Sequence, residues 1–266
     1  MIDNPRSPRV RAVAKLAKRE ARSETGLFLL EGPQSVSEAL SYRPELLVEL
    51  FATPTAWEKH SELSSLAVAA ELEVEFVTEA VLDAMADTVT PQGIVAVCRQ
   101  FPTSVKDILA GEPKLIAILE EVRDPGNAGT IIRAADAAGA DAVIFTGRSV
   151  DLYNPKVVRA TTGSLFHLPV AVAHELETVI DRAKAAGLQV IAADVKGADL
   201  LGARKTGALV APTAWLFGNE ARGLTDEHYA LADWVITVPI YGHAESMNLA
   251  TAASVCLYES AFAQRS

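Results

Sequence analysis

The chain has 266 residues, half of them hydrophobic, and a formal net charge of −10 at pH 7. This length exceeds the ~100–200 residues typical of one domain and predicts two domains with ample core. No apolar run approaches the roughly 18 residues of a membrane-spanning helix, and the opening residues MIDNPRSPRVR lack the apolar segment of a secretory signal. These features predict a cytoplasmic protein with no membrane association.

The first hundred residues alternate between predicted helices and strands. A helix is predicted over 8–22, then a strand over 28–32, a helix over 34–40, a strand over 46–53, a helix over 56–70, a strand over 74–77, a helix over 79–86 and a strand over 94–101. This alternation predicts an α/β domain spanning 1–101. Two prolines and a glycine over 102–113 predict a linker after it.

The alternation resumes in residues 114–266, where six apolar strands are predicted. They cover 115–119, 142–145, 168–173, 188–194, 214–218 and 234–239. Most are too uniformly hydrophobic for a sheet with one face in water. We therefore expect a mostly parallel sheet covered by helices on both faces.

Charge is distributed unevenly along the chain. Residues 1–22 hold seven basic and two acidic groups, so this segment carries +5 and the remaining 244 residues carry −15. Helical spacing places four of the basic side chains on one stripe: Arg11, Lys15, Lys18 and Arg22. Two interpretations stay open, a solvated amphipathic helix or an arm that contacts the phosphates of a nucleic acid.

Two cysteines, Cys98 and Cys256, lie in apolar segments and are expected to be buried free thiols. The five histidines are scattered, and no Cys/His cluster has the spacing of metal ligands. We expect no metal site.

Three polar segments occur at predicted strand-to-helix junctions. The first, DPGN at 124–127, follows a buried strand, and the second begins at Gly218, where another apolar strand ends. The third, PIYGHAESMN at 239–248, precedes a long Ala-rich helix. Ligands of open α/β sheets bind outside the carboxyl ends of the strands, so these segments are candidate ligand loops. The usual nucleotide-binding G-x-G-x-x-G fingerprint is missing.

Together the three segments resemble the ordered motifs of the SpoU family, in the SPOUT class of RNA methyltransferases. The motifs are N-x-G-x-x-x-R (Asn127, Gly129, Arg133), G-x-E-x-x-G-L (Gly218, Glu220, Gly223, Leu224) and P-x-x-G-x-x-x-S-x-N (Pro239, Gly242, Ser246, Asn248). Residues 28–40 (FLLEGPQSVSEAL) and 90–97 (TPQGIVAV) are similar to the family's N-terminal substrate-binding module.

The resemblance implies a deep trefoil knot in a catalytic domain over 114–266, preceded by a smaller α/β RNA-binding domain similar to ribosomal-protein modules. It implies an S-adenosylmethionine-dependent enzyme that methylates ribose 2′-hydroxyls, most simply in 23S ribosomal RNA, and that works as a homodimer. A transfer-RNA 2′-O-methyltransferase and a non-catalytic RNA-binding or assembly protein stay open as alternatives.

The resemblance also assigns roles to individual residues. Expected catalytic residues are Arg133, Asn127, Glu220, Ser246 and Asn248; expected cofactor-binding residues are Gly218, Val238, Met247 and Gly242. In the family the arginine that matches Arg133 is proposed to take the 2′-hydroxyl proton. Because a guanidinium stays protonated, we expect Arg133 to hold a phosphate and stabilise the developing alkoxide.

Overall fold

The structure, a computed structural model, describes all residues, 1–266. The chain forms two compact units. The first unit comprises Met1–Phe101 and Asp151–His167, and the second comprises Pro102–Val150 and Leu168–Ser266. No helix is both long enough and apolar enough to cross a bilayer.

The first unit is built on a four-stranded sheet with strand order β1-β4-β2-β3. Its elements are α1 (Pro8–Lys15), α2 (Arg19–Thr25), β1 (Leu27–Glu31), α3 (Pro33–Tyr42), β2 (Leu47–Ala52), α4 (Pro54–Lys59), α5 (Glu62–Ala69), β3 (Val74–Phe76), α6 (Glu79–Met85) and β4 (Ile94–Arg99). β4 pairs antiparallel with both β1 and β2. The predicted alternation of strands and helices is confirmed, except that the predicted helices over 8–22 and 56–70 are each divided in two.

The N-terminal helix is divided because Arg22 binds the end of α1. Its side chain is 2% exposed and donates Nη1 to the carbonyl oxygens of Leu16 (2.8 Å) and Ala17 (2.9 Å). These carbonyls lie just past the last turn of α1, where intrahelical partners run out. Arg22 also pairs with Asp151 at 2.5 Å. Arg22 therefore does not belong to an exposed basic stripe with the other three residues, because its side chain is buried and four of its five N–H donors bond within the protein.

The other three members of the predicted stripe, Arg11, Lys15 and Lys18, are exposed. Arg11 and Lys15 lie on α1, whereas Lys18 precedes α2. They therefore do not share one continuous helix.

Residues 151–167 fall in the sequence range predicted as the catalytic domain but pack within the first unit. They contain helix α9 (Pro155–Thr161), whose Arg159 pairs with Glu31 and Asp87. Tyr153 is 4% exposed, and its hydroxyl accepts the backbone N–H of Phe101 at 2.7 Å. Ion pairs and buried aromatic contacts thus hold this segment to a sheet that lies far away in the sequence.

The second unit is built on a six-stranded sheet with order β10-β8-β9-β5-β6-β7. Its elements are α7 (Val105–Ala110), β5 (Leu115–Glu120), α8 (Pro125–Ala138), β6 (Ala142–Thr146), β7 (Val170–Val172), α10 (Leu176–Ala185), β8 (Gln189–Asp199), α11 (Leu200–Lys205), β9 (Thr213–Phe217), α12 (Asp226–Leu231), β10 (Trp234–Thr237) and α13 (Leu249–Arg265).

Every pairing in this sheet is parallel, which confirms the prediction from uniformly apolar strands. All residues of β5, β6 and β9 are buried. A parallel arrangement directs the carboxyl ends of all strands to one edge, where the motif loops follow. The trefoil knot implied by the resemblance stays a prediction.

Residues 102–113, predicted as a linker, contain α7. Ser104 caps this helix by accepting the N–H of Asp107, and Val105 and Ile108 are buried in the core of the second unit. The prolines suggested a linker, but Pro102 and Pro113 lie outside the ends of α7 and therefore do not interrupt it.

The long C-terminal helix α13 begins where predicted, with Asn248 as its N-cap. Ala253, Cys256 and Leu257 are fully buried, and the buried indole of Trp215 donates to Ser260 Oγ at 2.9 Å. Phe262 is 53% exposed. It packs beside Tyr258, with ring centroids 5.6 Å apart.

Both cysteines are buried free thiols, as predicted. Burial raises the pKa of Cys98 and raises the pKa of Cys256 to about 12. Both groups are therefore protonated and unreactive at neutral pH.

Candidate active site

Three polar loops meet in the second unit. One connects β5 to α8, the second follows β9, and the third precedes α13. Asp124 begins α8 as its N-cap, with Oδ1 accepting the N–H of Asn127 at 2.7 Å. Asn127 is therefore inside the first turn of the helix and does not cap it, which leaves its side-chain amide available to the other two loops.

The side chains of Glu220, Asn127 and Asn248 form a continuous hydrogen-bonded chain, which we call the polar relay. Glu220 Oε1 accepts from Asn127 Nδ2 at 3.5 Å, and Asn127 Oδ1 accepts from Asn248 Nδ2 at 2.9 Å. Each of the two asparagine side chains donates a hydrogen bond through its NH₂ group and accepts another through its oxygen. All donors in the chain therefore point the same way, from Asn248 through Asn127 to the carboxylate of Glu220. The structure thus brings three of the five predicted catalytic residues together.

Both ends of the polar relay are fixed to the backbone. Glu220 accepts the N–H groups of Asp124 (2.9 Å) and Arg123 (3.1 Å), which precede α8. Asn248 Oδ1 accepts the N–H of Thr251 at 3.2 Å and so caps α13. Hydrogen bonds from backbone N–H groups to a carboxylate are charge-assisted and hence stronger than neutral ones. The relay therefore ties two helix starts to the loop after β9.

Arg133 lies on α8 six residues after Asn127, which at 1.5 Å per residue is about 9 Å along the helix axis. Its side chain is exposed. Side chains on a helix lean toward its N-terminus, which for Arg133 is the end that carries the polar relay. Its guanidinium therefore lies at the protein surface, on the side of α8 that leads toward the polar relay.

A cavity of about 390 Å³ adjoins the polar relay. It lies among residues at the ends of β8, β9 and β10 and the loop before α13. Five of the predicted site residues line it, namely Gly218, Glu220, Val238, Ser246 and Met247. Much of the remaining wall is apolar, with Phe217, Leu224, Ile236, Ile240 and Leu249. Gly242, predicted to bind the cofactor, does not line this cavity.

The two motif glycines, Gly218 and Gly242, have different surroundings. A Cβ on Gly218 would lie 2.7 Å from both the carbonyl carbon and oxygen of Gly223, within the same loop. This loop closes through a backbone bridge between Asn219 and Gly223. A side chain at residue 218 would therefore clash with the backbone of Gly223, so the conformation of this loop requires a glycine here. Gly242 is exposed, and a Cβ there would meet nothing within 4 Å.

Two cavity residues escaped the sequence analysis. Asp194 and Tyr229 both line the cavity. Burial raises the pKa of Tyr229 to about 12, with a further contribution from its hydrogen bond to Asp194, so the phenol is protonated at neutral pH. Asp194 lies within β8 and is the last residue of the strand predicted over 188–194; a carboxylate directly after an apolar run was the signal that could have identified it. Tyr229 lies on α12 and carries no such signal.

Comparison with known proteins gives matches over both halves of the chain. The SpoU rRNA Methylase family matches residues 114–258, and the MRM3-like substrate binding domain matches residues 7–96. A relative from Bacillus subtilis, the 23S rRNA (guanosine(2553)-2'-O)-methyltransferase RlmP, is 33% identical, with 97% of each chain covered. A 23S rRNA (uridine(2479)-2'-O)-methyltransferase from Streptomyces viridochromogenes is 30% identical, covering 92% of this chain and 86% of the relative.

A solved structure is similar over nearly the whole length. The AdoMet-bound rRNA methyltransferase from Sinorhizobium meliloti superposes with a TM-score of 0.84 at 33% identity, covering 97% of this chain and 96% of the other. The agreement confirms the predicted fold class.

The contrast between the two glycines gives a matched pair of variants. Gly218→Ala should lower the affinity for S-adenosylmethionine at least tenfold, because the new methyl group must displace the backbone of Gly223. Gly242→Ala should change it less than twofold. Isothermal titration calorimetry measures both, and equal losses would show that the close approach at Gly218 does not shape the cavity.

Proposed function

The chain belongs to the SpoU rRNA methylase family, and from this premise we propose that it methylates ribose 2′-hydroxyls of 23S ribosomal RNA, with S-adenosylmethionine as the methyl donor. The observation that carries the proposal is the polar relay, which joins all three family motifs beside one cavity. A protein without this activity would not need the three motifs to be hydrogen-bonded to one another beside a cavity.

The cavity fits the cofactor in size and chemistry. Its volume of about 390 Å³ falls in the usual range for small-molecule sites, about 300–1,000 Å³. We assign the apolar wall, including Val238, Ile240 and Met247, to the adenine, and the polar groups of Asp194 and Tyr229 to the ribose and its surroundings. When bound, S-adenosylmethionine supplies an electrophilic methyl group on its sulfonium centre.

The residues of the chain supply alignment and charge stabilisation. Methyl transfer to an alcohol is an in-line displacement, so the rate depends on holding the 2′-oxygen opposite the departing sulfur. Arg133, a permanent cation at the surface beside the three loops, can bind the RNA phosphate and stabilise negative charge that develops on the 2′-oxygen. Asn127, Glu220 and Asn248 act as positioning residues that keep the loops in place, whereas Ser246 contributes to the cavity wall.

The substrate assignment is supported by the relatives and by the N-terminal unit. Two relatives similar over nearly the whole chain are named as 23S rRNA methyltransferases, each for a different nucleotide. The MRM3-like substrate binding domain matches residues 7–96, and this match supports our assignment of RNA recognition to the first unit. We propose accordingly that the protein acts in the cytoplasm, where ribosomal RNA is assembled.

Homodimer formation is part of the same proposal. Helix α13 leaves Phe262 53% exposed and Tyr258 36% exposed as an aromatic pair. Exposed aromatic side chains are favoured at protein interfaces. Light scattering should give twice the chain mass of 28.3 kDa, and a strictly monomeric mass would contradict the dimer.

Methyl incorporation tests the proposed function directly. Labelled S-adenosylmethionine and unmodified total RNA should yield label in 23S rRNA, recovered after alkaline hydrolysis as a resistant dinucleotide because a 2′-O-methyl group blocks cleavage. Arg133→Ala should reduce the rate at least 100-fold with cofactor affinity within twofold of wild type. Label confined to transfer RNA would support the alternative substrate, and no label in any RNA would support a non-catalytic RNA-binding protein.

The N-terminal basic residues give a second test. We propose that Lys15 and Lys18 contact RNA phosphates, whereas Arg22 is structural. Lys15→Gln with Lys18→Gln should reduce the salt dependence of RNA binding by about one to two phosphate equivalents, without changing the urea midpoint. Arg22→Ala should instead lower the free energy of unfolding by about 3 kcal/mol, because it leaves Asp151 without its partner.

Arg19→Ala serves as the control, since Arg19 is exposed on the same helix as Arg22 and should cost less than about 0.5 kcal/mol. An unchanged salt dependence in the double lysine variant would exclude the basic arm. Normal stability together with weakened RNA binding in Arg22→Ala would restore Arg22 as an RNA contact.

A further inference from the structure

The first unit contains a second cavity, of about 420 Å³, that none of the roles above uses. It lies at the start of α3, facing the loop before β4 and residues of α9. We call it the amide pocket. Its polar lining consists of Glu31, Gln34, Ser35, Thr88, Thr90, Gln92, Arg159 and Thr162. Gly32, Pro91, Ile94 and Val95 complete the wall.

Hydrogen-bonding groups in this pocket point toward a ligand. Ser35 is only 6% exposed yet lines the cavity, and its hydroxyl has no hydrogen-bond partner within the protein. Helix α3 begins at Pro33 and has no side-chain cap at Gly32, so the backbone N–H groups of Gln34 and Ser35, two residues that line the pocket, have no partner within the helix. The amide oxygen of Gln92 lies 2.9 Å from the position that a Cβ on Gly32 would occupy. A glycine at residue 32 thus lets this amide lie against the helix start.

The charges of the pocket exclude a phosphate as its preferred ligand. Arg159 is its one cation, and it pairs with two carboxylates, those of Glu31 and Asp87. Glu31 is itself 7% exposed and further accepts the N–H groups of Asp87 (2.9 Å) and Thr88 (3.0 Å). One guanidinium against two carboxylates leaves a local charge of −1, which repels an anion. The neutral groups that remain for a ligand are the amide of Gln92, the hydroxyl of Ser35 and backbone N–H donors at the start of α3.

Neutral groups of this kind recognise the edges of nucleobases. Glutamine side chains can donate and accept at once and so match a base edge that carries both functions. Sequence-specific recognition of RNA uses unpaired bases whose edges are exposed for hydrogen bonding. The pocket volume suits one base with part of its ribose, and Pro91, Ile94 and Val95 offer apolar surface against the ring.

We propose that the amide pocket binds one unpaired nucleobase of the RNA substrate and thereby contributes to the choice of target. This inference rests on the proposed function. Gln92 and Ser35 are the specificity-determining residues, and the backbone N–H groups at the start of α3 donate to a carbonyl oxygen of the base. The pocket acts in recognition and takes no part in methyl transfer.

Variants of Gln92 and Ser35 test the proposal in the full-length protein. Gln92→Ala should weaken the binding of a 23S rRNA transcript about tenfold, and Ser35→Ala should weaken it several-fold. The slope of log affinity against log salt should not change, because no phosphate contact is lost. Ser65→Ala, an exposed residue on α5 outside the pocket, should bind RNA as wild type does.

The other outcomes overturn the proposal in identifiable ways. A slope that falls by about one in Gln92→Ala would assign the pocket to a phosphate. If Gln92→Ala loses affinity for a free nucleoside but keeps its affinity for RNA, the pocket binds a small metabolite. If both variants keep wild-type affinity for RNA and for the nucleoside, the pocket binds neither and the proposal is wrong. Affinity for S-adenosylmethionine should stay constant throughout. If wild-type protein neither binds nor methylates RNA, the proposed function itself fails.

Discussion

The polar relay from Glu220 through Asn127 to Asn248 is the interaction on which the candidate active site depends. Along the chain, Glu220 lies 93 residues and Asn248 lies 121 residues from Asn127. Each oxygen and amide group has a defined partner, and backbone N–H groups of α8 and α13 satisfy the ends. A partly satisfied network of this kind costs stability, so its complete pairing is what permits polar loops to close beside an apolar cavity.

The parallel sheet explains why these loops can meet. Fully buried strands such as β5 and β9 must be covered on both faces, and crossover helices then return each strand in the same direction. All carboxyl ends consequently face one edge, and motif residues distant in sequence become neighbours. The N-terminal sheet, with its mixed pairing, has no comparable edge and uses a helix start to form its own pocket.

Sequence patterns predicted the strands and the motif loops because both follow from local composition. Uniform hydrophobicity over β5 or β9 is visible in a window of six residues, and so is the polar turn that begins α8. The sequence did not reveal contacts between distant segments. Helical spacing counted Arg22 with the exposed basic residues, since periodicity does not show that a guanidinium meets the carbonyls of Leu16 and Ala17.

Contacts between distant segments also account for the other differences between the predicted and the observed structure. Residues 151–167 follow a strand of the second unit, but their ion pairs with Glu31 and Arg22 place them in the first. The close contact between Gly218 and the backbone of Gly223 likewise joins residues within a folded loop and is not visible in the sequence. Asp194 and Tyr229 are candidate ligand-binding residues only because the fold brings both of them to the wall of the same cavity. Such features depend on tertiary packing and have no local signature.

A double-mutant cycle between Asn127 and Asn248 tests the polar relay most directly. Asn248→Ser retains an N-cap for α13 but loses the amide that reaches Asn127, and Asn127→Ala removes the same bond from the other side. Calorimetry should show that the double variant binds S-adenosylmethionine about as well as the weaker single variant, with a coupling energy of about 1 kcal/mol. Losses that add within about 0.3 kcal/mol would contradict the claim that the relay holds the site together.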